Sequence, residues 1–95
     1  MKISIITVCL NSENTIISTL NSVLSQTYKN IEHIIVDGGS TDNTINIINK
    51  YNHHQKKIIL VKNSGIYDSM NKGIEASSGD IITILNSDDI YQNAQ

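Results

Sequence analysis

The residues with the clearest chemical potential are four consecutive polar side chains, Asn86, Ser87, Asp88 and Asp89. They directly follow the apolar run at residues 81–85, which has the β-branched, non-alternating composition of a buried central strand. Adjacent carboxylates repel each other unless a cation joins them, and a divalent metal ion commonly does so. Because Asn, Ser and Asp also form turns, a polar turn without a metal ion is an equally open interpretation.

Two further polar loops follow predicted strands, residues 11–14 after the apolar run 3–9 and residues 37–42 after the run 31–36. Each loop offers side chains that can cap the next helix, namely Asn11 or Ser12 in the first loop and Ser40, Thr41 or Asp42 in the second. Glu13 would complement the dipole in the first turn of the first helix. Carboxyl ends of parallel strands share one edge of a sheet, where ligands of open α/β sheets bind. We therefore expect all three polar loops to converge on one edge.

Apolar spacing predicts that strands and helices alternate along the chain. Residues 15–26 have apolar positions at i, i+1, i+4, i+7 and i+8, which indicates a helix with one buried face. Helical spacing returns in residues 45–51 and 66–74, where Gly73 either faces a close neighbour or weakens the helix. A third strand is predicted at residues 57–61. The order β-α-β-α-β-α-β implies right-handed crossovers and a parallel sheet.

Composition indicates one ordinary globular domain with a modest core: 95 residues, 39% hydrophobic, 17% charged, net charge −2. This charge excludes the basic footprint of a nucleic-acid-binding protein. All seven cations are lysines, so no arginine can clamp a phosphate, and a metal ion or backbone amides would carry that task. A single cysteine, no signal-peptide pattern and no apolar run near 18 residues predict a cytoplasmic chain without a transmembrane segment.

Several common sites are absent from the sequence. The first strand leads into Cys9, Leu10 and Asn11, where a dinucleotide site needs Gly-x-Gly-x-x-Gly. A P-loop and a Gly-x-Ser-x-Gly nucleophile elbow are also missing. A receiver-like signalling domain needs an acidic pair after its first strand, which this chain does not have. His53 and His54 would not share a helix face, so a solvated loop is favoured over a metal site there.

Five segments occur in an informative order: S-I-I-T-V-C-L-N at 4–11, N-S-V-L-S-Q-T-Y at 21–28, V-D-G-G-S-T-D-N-T at 36–44, S-G-I-Y-D-S-M-N-K-G-I at 64–74, and G-D with L-N-S-D-D in 79–89. Together they resemble the successive motifs of the N-terminal, nucleotide-binding half of a family 2 glycosyltransferase, in the bacterial polysaccharide-biosynthesis branch. The resemblance covers essentially the whole chain.

This resemblance implies a partial GT-A fold, a Rossmann-like three-layer α/β sandwich with a mostly parallel sheet. Residues 1–95 would form the N-terminal nucleotide-sugar-binding part of a glycosyltransferase domain. The implied activity is metal-dependent, inverting sugar transfer from a nucleoside diphosphate donor, by default a UDP-sugar, to a saccharide acceptor of cell-surface polysaccharide. Mn²⁺ or Mg²⁺ would stabilise the diphosphate leaving group. The location would be cytoplasmic, with the inner face of the membrane as one place within it.

The same resemblance assigns roles to individual residues. Asp88, at the last position of the family's DXD motif, is the expected metal ligand, and Asp89 would bind a water of the ion or orient Asp88. Asn86 takes the first DXD position, where an amide can bind a hydroxyl group but adds no charge. Asp37 is expected at the nucleotide base or in holding its own loop. The residues expected to bind the nucleotide-sugar are Val8, Asn11, Asp37, Gly38, Asp68, Asn86 and Ser87.

The chain also departs from the family pattern. Gly38 replaces a second acidic residue that often contacts the base, and Met70 replaces a frequent arginine. The family's domain is more than twice as long, so we expect a fragment without the acceptor site or the carboxylate general base. A sheet that ends at a central strand would expose an edge, which predicts homo-oligomerisation. The alternative function is a non-catalytic nucleotide-binding module, whose loops hold a ligand without completing any chemistry.

Overall fold

The computed structural model describes residues 1–25, 28–51, 56–62 and 65–85. Strands and helices alternate in the order β1 (Ile3–Cys9), α1 (Ile16–Leu24), β2 (Ile31–Asp37), α2 (Thr44–Lys50), β3 (Lys56–Leu60), α3 (Ile66–Ala76) and β4 (Ile81–Ile84). The predicted alternation is confirmed, with ends that differ by a residue or two. None of the helices in this described part is long and apolar enough to cross a membrane.

The four strands form one parallel sheet in the order β3-β2-β1-β4. β1 pairs with β2 along its whole length, up to Cys9 opposite Asp37, and with β4 up to Ile6 opposite Ile84. The chain therefore moves from β1 to β2 and β3 on one side, then returns to the other side of β1 for β4. In an open α/β sheet such a reversal of strand order creates a crevice outside the carboxyl ends, where ligands bind.

Helices cover both faces of the sheet, which gives the expected three layers. On one face, Cys9 and Ile35 pack with Ile16 and Leu20 of α1 and Ile48 of α2. On the other face, the core consists of Ile6, Ile34 and Val36, with Ala76 of α3 packed against it. Ile34 and Ile35 thus face opposite layers, as the two-residue period of a strand requires.

Glycine at position 73 lets α3 lie close to the sheet. A Cβ atom there would stand 2.5 Å from Cγ2 of Ile6 and 3.3 Å from Cγ2 of Val36, both in the core. The close neighbour that the sequence left open for Gly73 is therefore present. Bringing α3 onto β1 and β2 also fixes the connection that leads into β4.

The prediction that β4 is a buried central strand is wrong for the part of the chain described. β4 lies at the edge of the sheet, and Ile81 and Ile82 are 42% and 43% exposed. The apolar run predicted the strand correctly. Burial of β4 would require a further strand on its outer side, and none exists within the described ranges. The exposed edge that follows from a sheet ending at this strand is present.

A buried carboxylate anchors the start of β4 to the amino ends of the other strands. Glu32 accepts hydrogen bonds at Oε2 from the Ser4 hydroxyl (2.6 Å) and the Ser78 backbone N–H (2.6 Å). Its Oε1 lies 3.5 Å from Lys2 Nζ and 3.6 Å from Lys57 Nζ. Burial alone would raise the pKa of Glu32, but the hydrogen bonds and the Lys2 charge outweigh it and lower the pKa from 4.5 to about 2.

This arrangement predicts a specific acid sensitivity. Because folding lowers the pKa of Glu32, its charged form stabilises the fold above pH 4.5, and this contribution is lost as the pH falls toward about 2. We expect Glu32→Gln to lower the free energy of unfolding by about 1 kcal/mol at pH 7, with the difference from wild type shrinking below pH 4.5. Urea unfolding at pH 7, 4 and 2.5 measures this difference, with Glu75→Gln on the exposed surface of α3 as the control. A difference that is the same at every pH would contradict the assignment.

Candidate functional site

The carboxylate of Asp37 organises the loop that follows β2. Asp37 is 2% exposed, and its Oδ2 accepts the N–H groups of Gly39 (3.0 Å) and Ser40 (2.8 Å). Its Oδ1 accepts the Ser40 hydroxyl at 2.5 Å. Of the two roles expected for Asp37, holding its own loop is therefore visible in the structure, and contact with a nucleotide base stays a prediction.

Cys9, at the end of β1, adds a further donor to the same carboxylate. Its Sγ lies 3.5 Å from Asp37 Oδ1 and is buried. Burial, followed by the negative charge of Asp37, raises the pKa of the Cys9 thiol far above its usual range. The thiol therefore stays protonated and acts as a hydrogen-bond donor, which gives Cys9 a structural role at the centre of the site.

Two loops at the carboxyl ends of β1 and β2 are joined by a reciprocal set of hydrogen bonds. We call residues 10–13 the first rim loop and residues 38–43 the second rim loop. Three consecutive N–H groups of the first loop donate to side chains on the other side: Asn11 to Ser40 Oγ (2.8 Å), Ser12 to Thr44 Oγ1 (2.7 Å) and Glu13 to Asp42 Oδ2 (3.2 Å). Thr44 is the first residue of α2.

The second rim loop also has three consecutive N–H groups that donate to side chains of the first rim loop. These donate to the first loop as follows: Thr41 to Asn11 Oδ1 (2.8 Å), Asp42 to Asn11 Oδ1 (3.3 Å) and Asn43 to Glu13 Oε1 (3.0 Å). We refer to these six contacts as the rim latch. These amides have no backbone partners in a strand or helix, so side chains of the opposite loop accept them, together with Thr44 at the start of α2.

None of the predicted residues stands at the N-cap of its helix: Thr15 takes that position in α1 and Asn43 in α2, and neither forms a side-chain cap hydrogen bond. Asp42 Oδ1 accepts the N–H (2.9 Å) and hydroxyl (2.6 Å) of Thr44, at the start of α2. These bonds outweigh desolvation and leave the pKa of Asp42 below its usual value. At α1, the backbone carbonyl of Ser12 accepts the first N–H groups, whereas the side chain of Asn11 faces the second rim loop. Asn11 has φ of 48°, a left-handed conformation that Asn tolerates better than most residues.

The structure brings four of the predicted nucleotide-sugar residues together. Val8, Asn11, Asp37 and Gly38 lie at the carboxyl ends of β1 and β2, where the N–H of Gly38 donates to the carbonyl of Cys9 at 2.9 Å. Asp68 lies in the first turn of α3 and is exposed. The predicted residues that fall outside the described part of the chain are Asn86, Ser87, Asp88 and Asp89.

β4 reaches the same edge of the sheet as the rim latch. The N–H of Leu85 donates to the carbonyl of Ile6 at 2.8 Å, and Leu85 is the last residue described. In the sequence the next residue is Asn86. The chain thus leaves β4 beside β1, at the point where the strand order reverses.

The described residues do not fit a metal ion. Across residues 1–85, apart from the gaps given above, no group of three or more His, Cys, Asp or Glu side chains is placed to hold one. Asp37 and Asp42, two of the carboxylates at the rim, have both oxygens engaged by the rim loops and by Thr44 of α2. The metal ligands predicted from the sequence, Asp88 and Asp89, lie outside these ranges.

The rim latch was not predicted from the sequence, although Asn11 was expected at the site and Asp42 was considered as a helix cap. Glu13 was assigned to the α1 dipole, and Ser40 and Thr41 were considered only as possible caps of the next helix. The available signal was the run of short polar side chains in both loops, which can accept hydrogen bonds from nearby backbone. That signal indicates that side chains can bind backbone groups of the loops, but it does not indicate that the side chains of each loop bind the backbone of the other.

The fold and the edge described above define an open, parallel α/β domain with a candidate ligand site at a reversal of strand order. The chain belongs to glycosyl transferase family 2, which matches residues 4–94.

Among its relatives, the chain is 44% identical over 92 residues to UDP-Glc:alpha-D-GlcNAc-diphosphoundecaprenol beta-1,3-glucosyltransferase WfaP of Escherichia coli. That match covers 94% of this chain and 36% of WfaP. The chain is also 38% identical to a poly-beta-1,6-N-acetyl-D-glucosamine synthase of Staphylococcus epidermidis, covering 96% of this chain and 23% of the relative.

Two solved structures have the same fold. The crystal structure of S. aureus TarS 1-349 in complex with UDP-GlcNAc superposes with a TM-score of 0.86 at 29% identity, covering 99% of this chain and 30% of TarS 1-349. Glucosyl-3-phosphoglycerate synthase from Mycobacterium tuberculosis, solved with Mn²⁺, UDP and glucosyl-3-phosphoglycerate, has a TM-score of 0.74 at 29% identity, covering 92% of this chain and 33% of the synthase. The chain therefore spans about a third of the length of these proteins.

The two adjacent glycines of the second rim loop should respond differently to alanine. A Cβ at Gly38 would meet its nearest atom at 3.7 Å, an ordinary contact, whereas Gly39 has φ of 108°, which an L residue rarely adopts. We expect Gly39→Ala to lower the free energy of unfolding by about 1–2 kcal/mol and Gly38→Ala to leave it within about 0.5 kcal/mol. Denaturant unfolding of both variants measures this. Equal losses would show that the loop does not hold the described conformation.

Proposed function

We propose that this chain is the nucleotide-sugar-binding part of an inverting glycosyltransferase domain. The donor is a UDP-sugar and the acceptor a saccharide of cell-surface polysaccharide. The observation that carries the proposal is the edge where the strand order reverses, with the two latched rim loops beside the end of β4 in a member of glycosyl transferase family 2. The alternative of a non-catalytic nucleotide-binding module is not favoured, because the related proteins with specific names are transferases or synthases.

The choice of donor is supported by what the relatives bind. WfaP is named for UDP-Glc, TarS was solved with UDP-GlcNAc, and the mycobacterial synthase was solved with UDP. In our proposal Val8 and Gly38 border the nucleotide, and the wall of the pocket is held by Asp37. Gly38 carries no side chain, although space for one exists, so the base is contacted there through backbone groups.

Asn86, Ser87, Asp88 and Asp89 complete the proposed site from the end of β4. We propose Asp88 as a metal ligand, Asp89 beside it, and Asn86 and Ser87 as partners of donor hydroxyl groups. Mn²⁺ or Mg²⁺, when bound, would supply positive charge for the diphosphate in a chain that has lysines but no arginine to clamp a phosphate. The Mn²⁺ in the mycobacterial synthase supports this choice of metal. Asp68, in the first turn of α3, is proposed to face the donor.

Transfer itself requires groups that this chain does not provide. Because it spans 36% of WfaP, we assign the acceptor site and the general base of an inverting reaction to sequence without a counterpart here. Among the residues that the structure describes, β4 has no strand on its outer side, which supports self-association of the 95-residue chain. The buried, free thiol of Cys9 is consistent with a cytoplasmic location.

A calorimetric titration tests the donor site directly. We expect the chain to bind UDP more tightly with Mn²⁺ than without it, and Asp88→Asn to weaken binding with Mn²⁺ by about tenfold or more, because an amide is a poorer ligand for a hard cation. Glu75→Gln, which removes one negative charge from the exposed surface of α3, is the matched control and should bind as wild type does. Binding that ignores both Mn²⁺ and the Asp88 substitution would contradict the proposed metal role.

A further inference from the structure

We propose that Asn11 and Glu13 are positioning residues of the nucleotide site, which act through the rim latch and not by touching the nucleotide. This inference rests on the proposed function, because it concerns the same edge of the sheet. It assigns Asn11 a different task from the direct contact that the sequence suggested. It also adds Glu13, which the sequence had connected only with the dipole of α1.

Asn11 is bound to the second rim loop from both its backbone and its side chain. Oδ1 accepts the N–H groups of Thr41 and Asp42 at 2.8 and 3.3 Å, while the Asn11 N–H donates to Ser40 Oγ at 2.8 Å. The Ser40 hydroxyl in turn donates to Asp37 Oδ1 at 2.5 Å. A continuous chain of hydrogen bonds therefore connects Asn11 to the buried carboxylate that shapes residues 38–40.

Glu13 closes the other end of the latch by a two-way exchange. Its N–H donates to Asp42 Oδ2 at 3.2 Å, and its Oε1 accepts the N–H of Asn43 at 3.0 Å. Asp42 also accepts from Thr44, so it joins the latch to the first residue of α2. The second rim loop is thus held at Thr41, Asp42 and Asn43, leaving Gly38 and Gly39 to follow the shape that Asp37 imposes.

Loops held in this way reduce the entropy that a ligand must remove on binding. The left-handed backbone of Asn11, with φ of 48°, fits this role, because such conformations persist where surrounding contacts determine them. Released from the latch, residues 38–43 would sample other conformations, and the nucleotide would bind only the fraction that matches. Loss of the latch should therefore weaken binding without removing any ligand contact.

Three variants of the 95-residue chain separate positioning from contact. Asn11→Gly removes Oδ1 but tolerates the left-handed backbone, Glu13→Ala removes Oε1, and Glu13→Gln keeps an oxygen at that position while losing the charge. Asn14→Gly, at an exposed asparagine just after the first rim loop, is the control for glycine itself. Two measurements are made on each: amide hydrogen exchange by NMR without nucleotide, and the affinity for UDP with Mn²⁺, both at a temperature where every variant is folded.

We expect Asn11→Gly to speed exchange at Thr41 and Asp42 by about tenfold and to weaken UDP binding by a similar factor. Glu13→Ala should speed exchange at Asn43 and weaken binding by about threefold, and Glu13→Gln should restore both. Weaker binding with unchanged exchange would mean that Asn11 contacts the nucleotide directly. Faster exchange with unchanged affinity would mean that the latch does not serve the site.

Failure of the proposed function looks different from failure of this inference. If wild type does not bind UDP under any condition, the proposed donor site is wrong and the latch has no role in binding. If wild type binds and the variants do not follow the expected order, the donor site stands and the positioning role is overturned. The exchange rates decide in either case whether the latch exists in solution.

Discussion

The constraint on which this edge of the molecule depends is that its backbone amides have no partners in a regular strand or helix. A strand that ends and a helix that has not yet begun leave consecutive N–H groups without regular partners, and side chains or water must accept them instead. Such N–H groups occur once after β1 and once after β2, in two loops that lie within hydrogen-bond distance of each other. The N–H groups of residues 11–13 donate to the side chains of Ser40, Thr44 and Asp42. Those of residues 41–43 donate to the side chains of Asn11 and Glu13. The resulting edge is shaped before any ligand arrives.

Contacts at the opposite, amino edge of the sheet determine where β4 ends relative to the rim loops. Glu32 gathers Ser4, Ser78 and two lysines at the amino ends of the strands, and the N–H of Gly79 donates to Ser4 Oγ at 2.8 Å. These contacts fix where β4 enters the sheet. Because a shift of one residue would turn every β4 side chain to the opposite face, fixing the entry also fixes the residue that leaves the sheet beside β1. The amino edge thereby determines where the acidic sequence after Leu85 begins.

Sequence periodicity was sufficient to predict the positions of the helices and strands, because apolar spacing indicates which face of each element is buried. Gly73 shows the limit of that information: the residue indicated a close approach, but only the fold identifies Ile6 as its neighbour. Strand order was not predictable, because it depends on contacts between residues far apart in the chain. The predicted burial of β4 was wrong for a related reason, since burial of a strand depends on what lies beside it and not on its own composition. The role of Asp37 in holding its own loop was expected from the sequence. The contacts of Glu13 were not, because its partners Asp42 and Asn43 lie about thirty positions away in the chain.

The central claim is that the edge formed by the rim loops is the nucleotide site, and the most direct test is to map where UDP binds. Amide chemical shifts of the 95-residue chain would be followed by NMR during titration with UDP and the diamagnetic ion Mg²⁺. The account predicts that the largest shifts occur at residues 8–11 and 37–40, with small ones at the amino edge around Glu32. Largest shifts elsewhere would contradict it, for example in the cavity that Ile3, Val23 and Tyr28 line between α1 and the sheet.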